Sequence, residues 1–317
     1  MRGVHLGNGN LTLRDDLPPL VARAGWTRVR VLRAGICATD LALRRGYMGF
    51  SGTPGHEFVG LALEGALAGK RVVGEINAGC GECESCRLDS SRHCPRRTVL
   101  GILAHSGAFA EELMLPTRNL HVVPESVSTA AALFVEPLAA AFRIQEQVPL
   151  RRGMTALVAG DGKLGLLCAH VLALHGLAVT VAGRHPERQD LLPSSVHLDT
   201  RLWSLTPTEH PRFDLAVEAT GHGEVLERLL AFVRPRGTLV LKTTCEGGTP
   251  LNLSMGVVDE ITIVGSRCGP FAPALACLAD GKVPVERMVA AVYPLRDAEA
   301  AFAHAGRRGT LKVVLEG

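Results

Sequence analysis

The chain has 317 residues, of which 47% are hydrophobic and 21% charged, and a formal net charge of only +3. That length accommodates two domains, each with its own core. Lysines and arginines are scattered instead of massed, which argues against nucleic-acid or membrane partners. No stretch approaches the roughly 18 uninterrupted apolar residues of a membrane span. The opening Met1-Arg2-Gly3-Val4-His5 lacks the apolar run of a signal peptide. Nine cysteines without an export signal favour metal sites or free thiols over a disulfide framework, so a cytoplasmic enzyme is the expectation.

Residues 1 to about 125 read as a β-rich domain with many glycines and loops. Val29 to Leu32 and Arg71 to Glu75 have strand character, separated by proline and glycine turns. Within this region Cys37-Ala38-Thr39-Asp40 ends a strand, and Gly55-His56-Glu57 follows a turn at Pro54. A thiolate, an imidazole and a carboxylate leave zinc one open position for water or substrate oxygen, as catalysis requires. Two glutamates can supply that carboxylate: Glu57, and Glu136 in Phe134-Val135-Glu136-Pro137-Leu138. Asp40 is placed to accept a hydrogen bond from the His56 ring.

Cys80, Cys83, Cys86 and Cys94 follow next, in the pattern C-x2-C-x2-C-x7-C within a glycine-rich polar segment. Two-residue gaps let successive thiolates face one ion. Four cysteines fill a tetrahedral zinc shell and leave no position for substrate, so this site is structural. A nucleic-acid zinc ribbon is the alternative, and no basic recognition helix follows the cysteines to support it.

From Glu136 the texture changes. Leu138 to Gln147 has helical apolar spacing, Thr155 to Ala159 reads as a strand, Leu164 to Leu174 as a helix and Ala178 to Ala182 as a strand. Leu215 to Glu218, Thr238 to Leu241 and Ile261 to Val264 read as buried strands, with Val225 to Val233 helical between two of them. That alternation predicts an α/β domain with a parallel sheet and helices on both faces. The final strand-like Leu311 to Leu315 can complete either domain.

Gly160-Asp161-Gly162-Lys163-Leu164-Gly165 is G-x-G-x-x-G, directly after the Thr155 to Ala159 strand and opening a helix. The glycines permit a tight turn and close backbone approach, and the helix N-terminus faces a dinucleotide pyrophosphate. The next strand normally ends in an acid that binds the ribose 2′-hydroxyl of NAD. Here it runs into Gly183-Arg184-His185, with Arg188 one helical turn on. Arginine at that point suits a 2′-phosphate, which favours NADP over NAD.

In this order the elements resemble the medium-chain dehydrogenase/reductase superfamily, in its zinc-containing alcohol, polyol and threonine dehydrogenase branch. The resemblance spans nearly the whole chain: Cys37-x-Thr39-Asp40, Gly55-His56-Glu57-x-x-Gly60, the four-cysteine lobe, Gly101 to Leu115, Val122-Val123-Pro124, Glu136-Pro137-Leu138, the glycine loop, and Val217-Glu218-Ala219-Thr220-Gly221. It implies a GroES-like catalytic domain at 1–137 and 270–317, with a structural-zinc lobe at 78–97. A Rossmann dinucleotide-binding domain would occupy 138–269. It implies two zinc ions per chain, one catalytic on Cys37, His56 and a glutamate and one structural on the four cysteines. Glu57 and Glu136 match two glutamates that trade places as ligand in polyol-type members.

The same resemblance makes Thr39 the hydroxyl that relays the substrate proton, and Thr220 and Gly265 further cofactor contacts. Relatives often continue the proton relay through a histidine, where this chain has Ala42. The segment between Gly60 and Lys70 reads as a trimmed hairpin. The implied activity is hydride transfer between a nicotinamide cofactor and an alcohol, a polyol or the matching carbonyl, in a homo-dimer or homo-tetramer. Tyr47, Phe50, Leu103 and Phe271 are pocket candidates by position. The alternatives are a zinc-containing reductase of an activated C=C or imine, and a non-catalytic protein that keeps both the dinucleotide and zinc sites.

Overall fold

The computed structural model describes residues 1–88, 90–204, 212–244 and 251–317. It divides into two compact units, one of Met1–Glu136 with Phe271–Gly317, the other of Pro137–Pro270.

In the first unit a sheet orders its strands Val289–Pro294, Lys312–Glu316, Trp26–Gly35, Glu57–Ala62, Arg71–Gly74 and Leu120–Val122, with Glu112–Pro116 also pairing Trp26–Gly35. All these pairings are antiparallel except the one between Val289–Pro294 and Lys312–Glu316. The alternating residues Val29, Val31 and Ala34 point inward and are buried, as a strand with one packed face requires. Phe109 packs edge-on against Phe302 at 5.7 Å, tying the first part of the chain to its last helix, Ala298–Ala305. The C-terminal strand thus belongs to this sheet, where Val314 faces Gly35 and Gly35 faces Glu57. The Gly60–Lys70 hairpin closes through hydrogen bonds from Ala62 N to Lys70 O and from Gly69 N to Ala62 O.

The second unit is a six-stranded, wholly parallel sheet in the order Val196–Asp199, Ala178–Ala182, Thr155–Ala159, Phe213–Glu218, Val233–Leu241, Thr262–Gly265. The order reverses at Thr155–Ala159, the strand that enters the glycine loop, which is the doubly wound Rossmann arrangement. Ala156 to Ala159 are fully buried because helices cover both faces. Leu157, Ala182, Phe213, Leu229, Phe232 and Leu239 share one core cluster.

One expectation fails here. Ile261 to Val264 reads as a buried strand, yet Thr262–Gly265 is the sheet's last strand, with Ile263 38% exposed. A run of apolar residues does not distinguish a central strand from an edge that has no neighbour. Among the described residues, no helix is long and apolar enough to cross a membrane.

Candidate active site

Three ligand-type side chains converge in the first unit: the Cys37 thiol, a His56 ring nitrogen and a Glu57 carboxylate oxygen all lie within 4.8 Å of one another. Local structure explains the convergence. Cys37 caps the N-terminus of helix Ala38–Arg44 directly after the long strand Trp26–Gly35. His56 and Glu57 lie where the chain enters the neighbouring strand, and Glu57 is the register partner of Gly35. The turn before His56 is fixed by backbone bonds from Ala108 to Gly55 and from Phe109 to Pro54.

Asp40, itself fully buried, organises this corner. Its Oδ2 accepts from the Cys37 backbone N–H at 2.8 Å, and its Oδ1 from Gly55 N–H at 3.2 Å. The same Oδ1 lies 3.5 Å from His56 Nδ1, a buried nitrogen with no hydrogen-bond partner among the described residues. The ring's other nitrogen is the one left for a metal. Burial opposes charge on His56, but Asp40 and then Cys37 outweigh it, holding the imidazole well above its ordinary range. A buried group that favours a cation, with sulfur, nitrogen and oxygen donors for three of zinc's four positions, fits zinc. Thr39 places its hydroxyl 3.9 Å from the Cys37 sulfur.

Glu57 carries a partner that the sequence reading missed. Lys312, fully buried, donates from Nζ to Glu57 Oε2. Burial opposes its charge too, and Glu57, Cys37 and Asp40 outweigh it, so the ammonium is held above the usual lysine range. Its Nζ also lies 5.7 Å from the Phe134 ring centre. Gly35 makes room for the pair, since a Cβ there would lie 2.8 Å from Glu57 Oε2 and 3.2 Å from Lys312 Cδ. The signal was present: one lysine inside the apolar strand Leu311 to Leu315 needs a buried anion. Glu136 is not one of the three residues that share this point and is half-buried in the first turn of helix Val135–Gln147.

The thiols of Cys80, Cys83, Cys86 and Cys94 form a second cluster, all within 4.8 Å of one another. The short strands Asn77–Ala78 and Thr98–Val99 pair at its base and close the lobe. Cys80 is drawn down to about 6 by the backbone N–H groups of Glu82 and Cys83. Cys83, though it also receives the Cys86 backbone N–H, is pushed up to about 11 by burial and the neighbouring sulfurs. Arg96 donates to the Cys80 sulfur at 3.3 Å and pairs with Glu82 at 2.7 Å, so one cation faces the cysteine cluster. Four sulfurs with no open position fit a structural zinc.

In the second unit Gly160 and Gly165 press together: a side chain on Gly165 would overlap the Gly160 carbonyl. Gly162 caps helix Lys163–Leu174, and open space lies where its side chain would be. Lys163 and Leu164 form the first turn of that helix. This is a cradle for a pyrophosphate. Thr220 bonds through both backbone N–H and hydroxyl to Glu218 Oε1, each at 2.7 Å. The Gly265 carbonyl accepts from Gln147 Nε2 at 2.9 Å.

Arg184 is exposed, and His185 directs Nδ1 to Asp161 at 2.9 Å. Arg188, expected to meet a 2′-phosphate, is instead buried, with Nη1 on Asp161 Oδ1 at 3.1 Å and on the Asp161 carbonyl at 2.6 Å. Spacing by one helical turn does not apply there, because residues Pro186–Leu191 form a 3-10 helix that turns Arg188 inward. Of the pocket candidates, Phe50 and Leu103 line a cavity of about 400 Å³ with Met48–Thr53 and Ile102–Ser106. Phe271 is buried against His121, and Tyr47 does not line that cavity.

The family model described as alcohol dehydrogenase GroES-like domain matches residues 23–125, and glucose dehydrogenase C-terminus matches 124–316. The chain is 31% identical to L-threonine 3-dehydrogenase of Streptomyces avermitilis, over 95% of this chain and 94% of that protein. It is 30% identical to D-altritol 5-dehydrogenase of Agrobacterium fabrum, over 89% of this chain and 88% of the relative. Its fold superposes on alcohol dehydrogenase TADH from Thermus sp. ATN1 with a TM-score of 0.88 and 29% identity, covering 100% of this chain and 99% of that one. The chain belongs to the zinc-dependent medium-chain dehydrogenase/reductase superfamily, in its alcohol, polyol and threonine dehydrogenase branch, whose enzymes transfer hydride between a nicotinamide cofactor and an alcohol, polyol or carbonyl.

Proposed function

We propose that this oxidoreductase acts on an alcohol or polyol, or reduces the matching carbonyl, with NADP(H) as its preferred cofactor. The catalytic zinc would sit on Cys37, His56 and Glu57, with Glu136 as the exchanging ligand, and a second zinc on the four cysteines. The observation that carries this reading is the convergence of Cys37, His56 and Glu57 on one point. When bound, the zinc polarises the substrate oxygen and the nicotinamide takes or gives the hydride.

The chain's own residues do the rest. Thr39 would relay the substrate's hydroxyl proton during oxidation, accepting it while its own hydroxyl proton passes on to solvent, and would run the relay in reverse during reduction. Asp40 holds the Cys37 and Gly55 backbones and faces His56, fixing two ligands at once. Lys312 balances Glu57 while that carboxylate is not on the metal. The backbone at Gly162 and the opening turn of helix Lys163–Leu174 receive the pyrophosphate, with Thr220 and Gly265 as further contacts. Arg184 and His185 face the 2′-phosphate; Arg188 acts only through Asp161. Ala42 leaves the proton to exit to solvent.

A homo-oligomer is part of the same reading. Among the described residues the edge strand Thr262–Gly265 has one unpaired side, and Val257 and Val258, 75% and 81% exposed, lie in the helix just before it. An open edge beside exposed valines suits pairing with a second copy. A cytoplasmic setting also agrees with eight described cysteines of which none forms a disulfide. The test is turnover of an alcohol and polyol panel with NAD and NADP, against a panel of enones and imines. Oxidation of a polyol with NADP supports the reading, and turnover confined to enones or imines overturns it.

A further inference from the structure

We propose that Asp161 is the positioning residue that sets which dinucleotide the chain takes, by excluding a ribose-binding acid and by holding the loop that carries Arg184. The inference rests on the reading that the glycine loop seats a nicotinamide dinucleotide.

In NAD-binding relatives of this fold, the strand beside the glycine loop ends in an acid that accepts from the ribose 2′-hydroxyl. Here that strand is Ala178–Ala182 and the residue after it is Gly183. A Cβ on Gly183 would lie 2.6 Å from Asp161 Oδ2, 2.7 Å from Asp161 Cβ and 2.7 Å from Leu198 Cδ1. No acid can stand there while Asp161 is in place. A carboxylate therefore does occupy the strand end, but it arrives from the glycine loop.

Two opposite roles follow from that position. Asp161 can replace the missing acid and bind a ribose hydroxyl, which would repel a 2′-phosphate. Alternatively, it can serve the loop and leave the ligand to Arg184. The hydrogen bonds decide between them. Asp161 Oδ2 accepts from Arg184 N–H and His185 N–H, each at 2.8 Å, and from His185 Nδ1 at 2.9 Å. Its Oδ1 accepts from Arg188 Nη1 at 3.1 Å. Three donors fill Oδ2, the oxygen nearest Gly183, and Oδ1 faces the buried Arg188, so the carboxylate is engaged by its own loop and not by a ribose. Although burial opposes its charge, those same donors hold the Asp161 carboxyl below its ordinary range, so it stays ionised.

The pairing also sorts the two arginines. Arg188 is buried and balanced by Asp161, so it contributes little net charge outward. Arg184 is tied to Asp161 only through its backbone, and its exposed guanidinium has no partner among the described residues. A free guanidinium beside a neutralised pair is suited to bidentate capture of a phosphate monoester.

The test uses adenosine 2′,5′-bisphosphate and 5′-AMP as probes, titrated calorimetrically into the full chain. Neither carries nicotinamide, so binding is read without turnover. The unmodified protein should bind the bisphosphate about tenfold or more tighter than 5′-AMP, and Arg184→Ala should abolish that margin while leaving 5′-AMP within about threefold. Asp161→Ala should weaken the bisphosphate by about fivefold or more with little change for 5′-AMP. Asp161→Gly combined with Gly183→Asp, which also removes the Asp161 Cβ that would lie 2.7 Å from a Cβ at 183, should reverse the preference. Weaker 5′-AMP and tighter bisphosphate binding in Asp161→Ala would overturn the inference, because Asp161 would then be the ribose acceptor. Equal loss of both probes in folded Asp161→Ala, or an unaltered margin in Arg184→Ala, would also overturn it. Binding of neither probe by the unmodified protein would instead remove the dinucleotide reading on which it rests.

Discussion

Lys312 and Glu57 meet across the centre of the first unit's sheet, both almost wholly removed from water, one from the C-terminal strand and one from the edge of the Cys37 cluster. The pair neutralises a carboxylate that is also a candidate metal ligand. It links the last strand of the chain to the chemistry of its first hundred residues.

Removing one member of a buried pair strands the other charge, which costs about 3–5 kcal/mol. Lys312→Met should therefore destabilise the protein by about that amount in urea unfolding. Lys312→Met with Glu57→Gln should be less destabilised than the sum of the two single variants, because no unpaired charge remains. Simple additivity would mean that the two residues do not interact.

Asp40 holds two ligand-bearing segments through the Cys37 and Gly55 backbones. Asp40→Ala should weaken metal retention by about 10–100-fold, measured by competition with a chelator, while the four-cysteine site keeps its zinc. Loss of metal from both sites together would point to global unfolding instead.

The cysteine lobe gives a prediction in pH. Cys80 titrates near 6, so its thiolate fraction rises as pH climbs through that value, whereas Cys83 stays protonated until about 11. After chelation, alkylation followed by mass spectrometry should mark Cys80 first at neutral pH, and added zinc should block it. Preferential labelling of Cys83 would contradict the assignment.

The open edge gives a prediction in mass. Ile263→Lys with Val258→Lys places two charges on the edge strand Thr262–Gly265 and the helix before it, and light scattering should then report a single chain where the unmodified protein reports two or four. An unmodified protein that is already a single chain would remove the pairing proposal.

Much of this was legible in the sequence because it depends on local rules. The strand Thr155–Ala159, the glycine loop and the helix after it are contiguous, and cysteines two residues apart can share one ion without knowledge of the fold. Cys37, His56 and Glu57 needed the order of motifs around them, since 18 residues lie between Cys37 and His56 in sequence. What could not be read were relationships set by pairing between distant strands. The Lys312–Glu57 contact spans 255 positions and exists only because Gly35 lies between their strands. Arg188 was assigned to a phosphate from its spacing, and the 3-10 geometry of Pro186–Leu191 turned it toward Asp161. The edge position of Thr262–Gly265 likewise follows from sheet order, which hydrophobicity does not encode.

The most direct test of the central claim is zinc content per chain by elemental analysis, compared between the unmodified protein and Cys37→Ser. Two zinc ions should fall to one, with loss of alcohol-dependent NADP reduction and a near-native melting temperature from the intact cysteine lobe. Two zinc ions retained in Cys37→Ser, or one or none in the unmodified protein, would contradict a catalytic zinc on Cys37, His56 and Glu57.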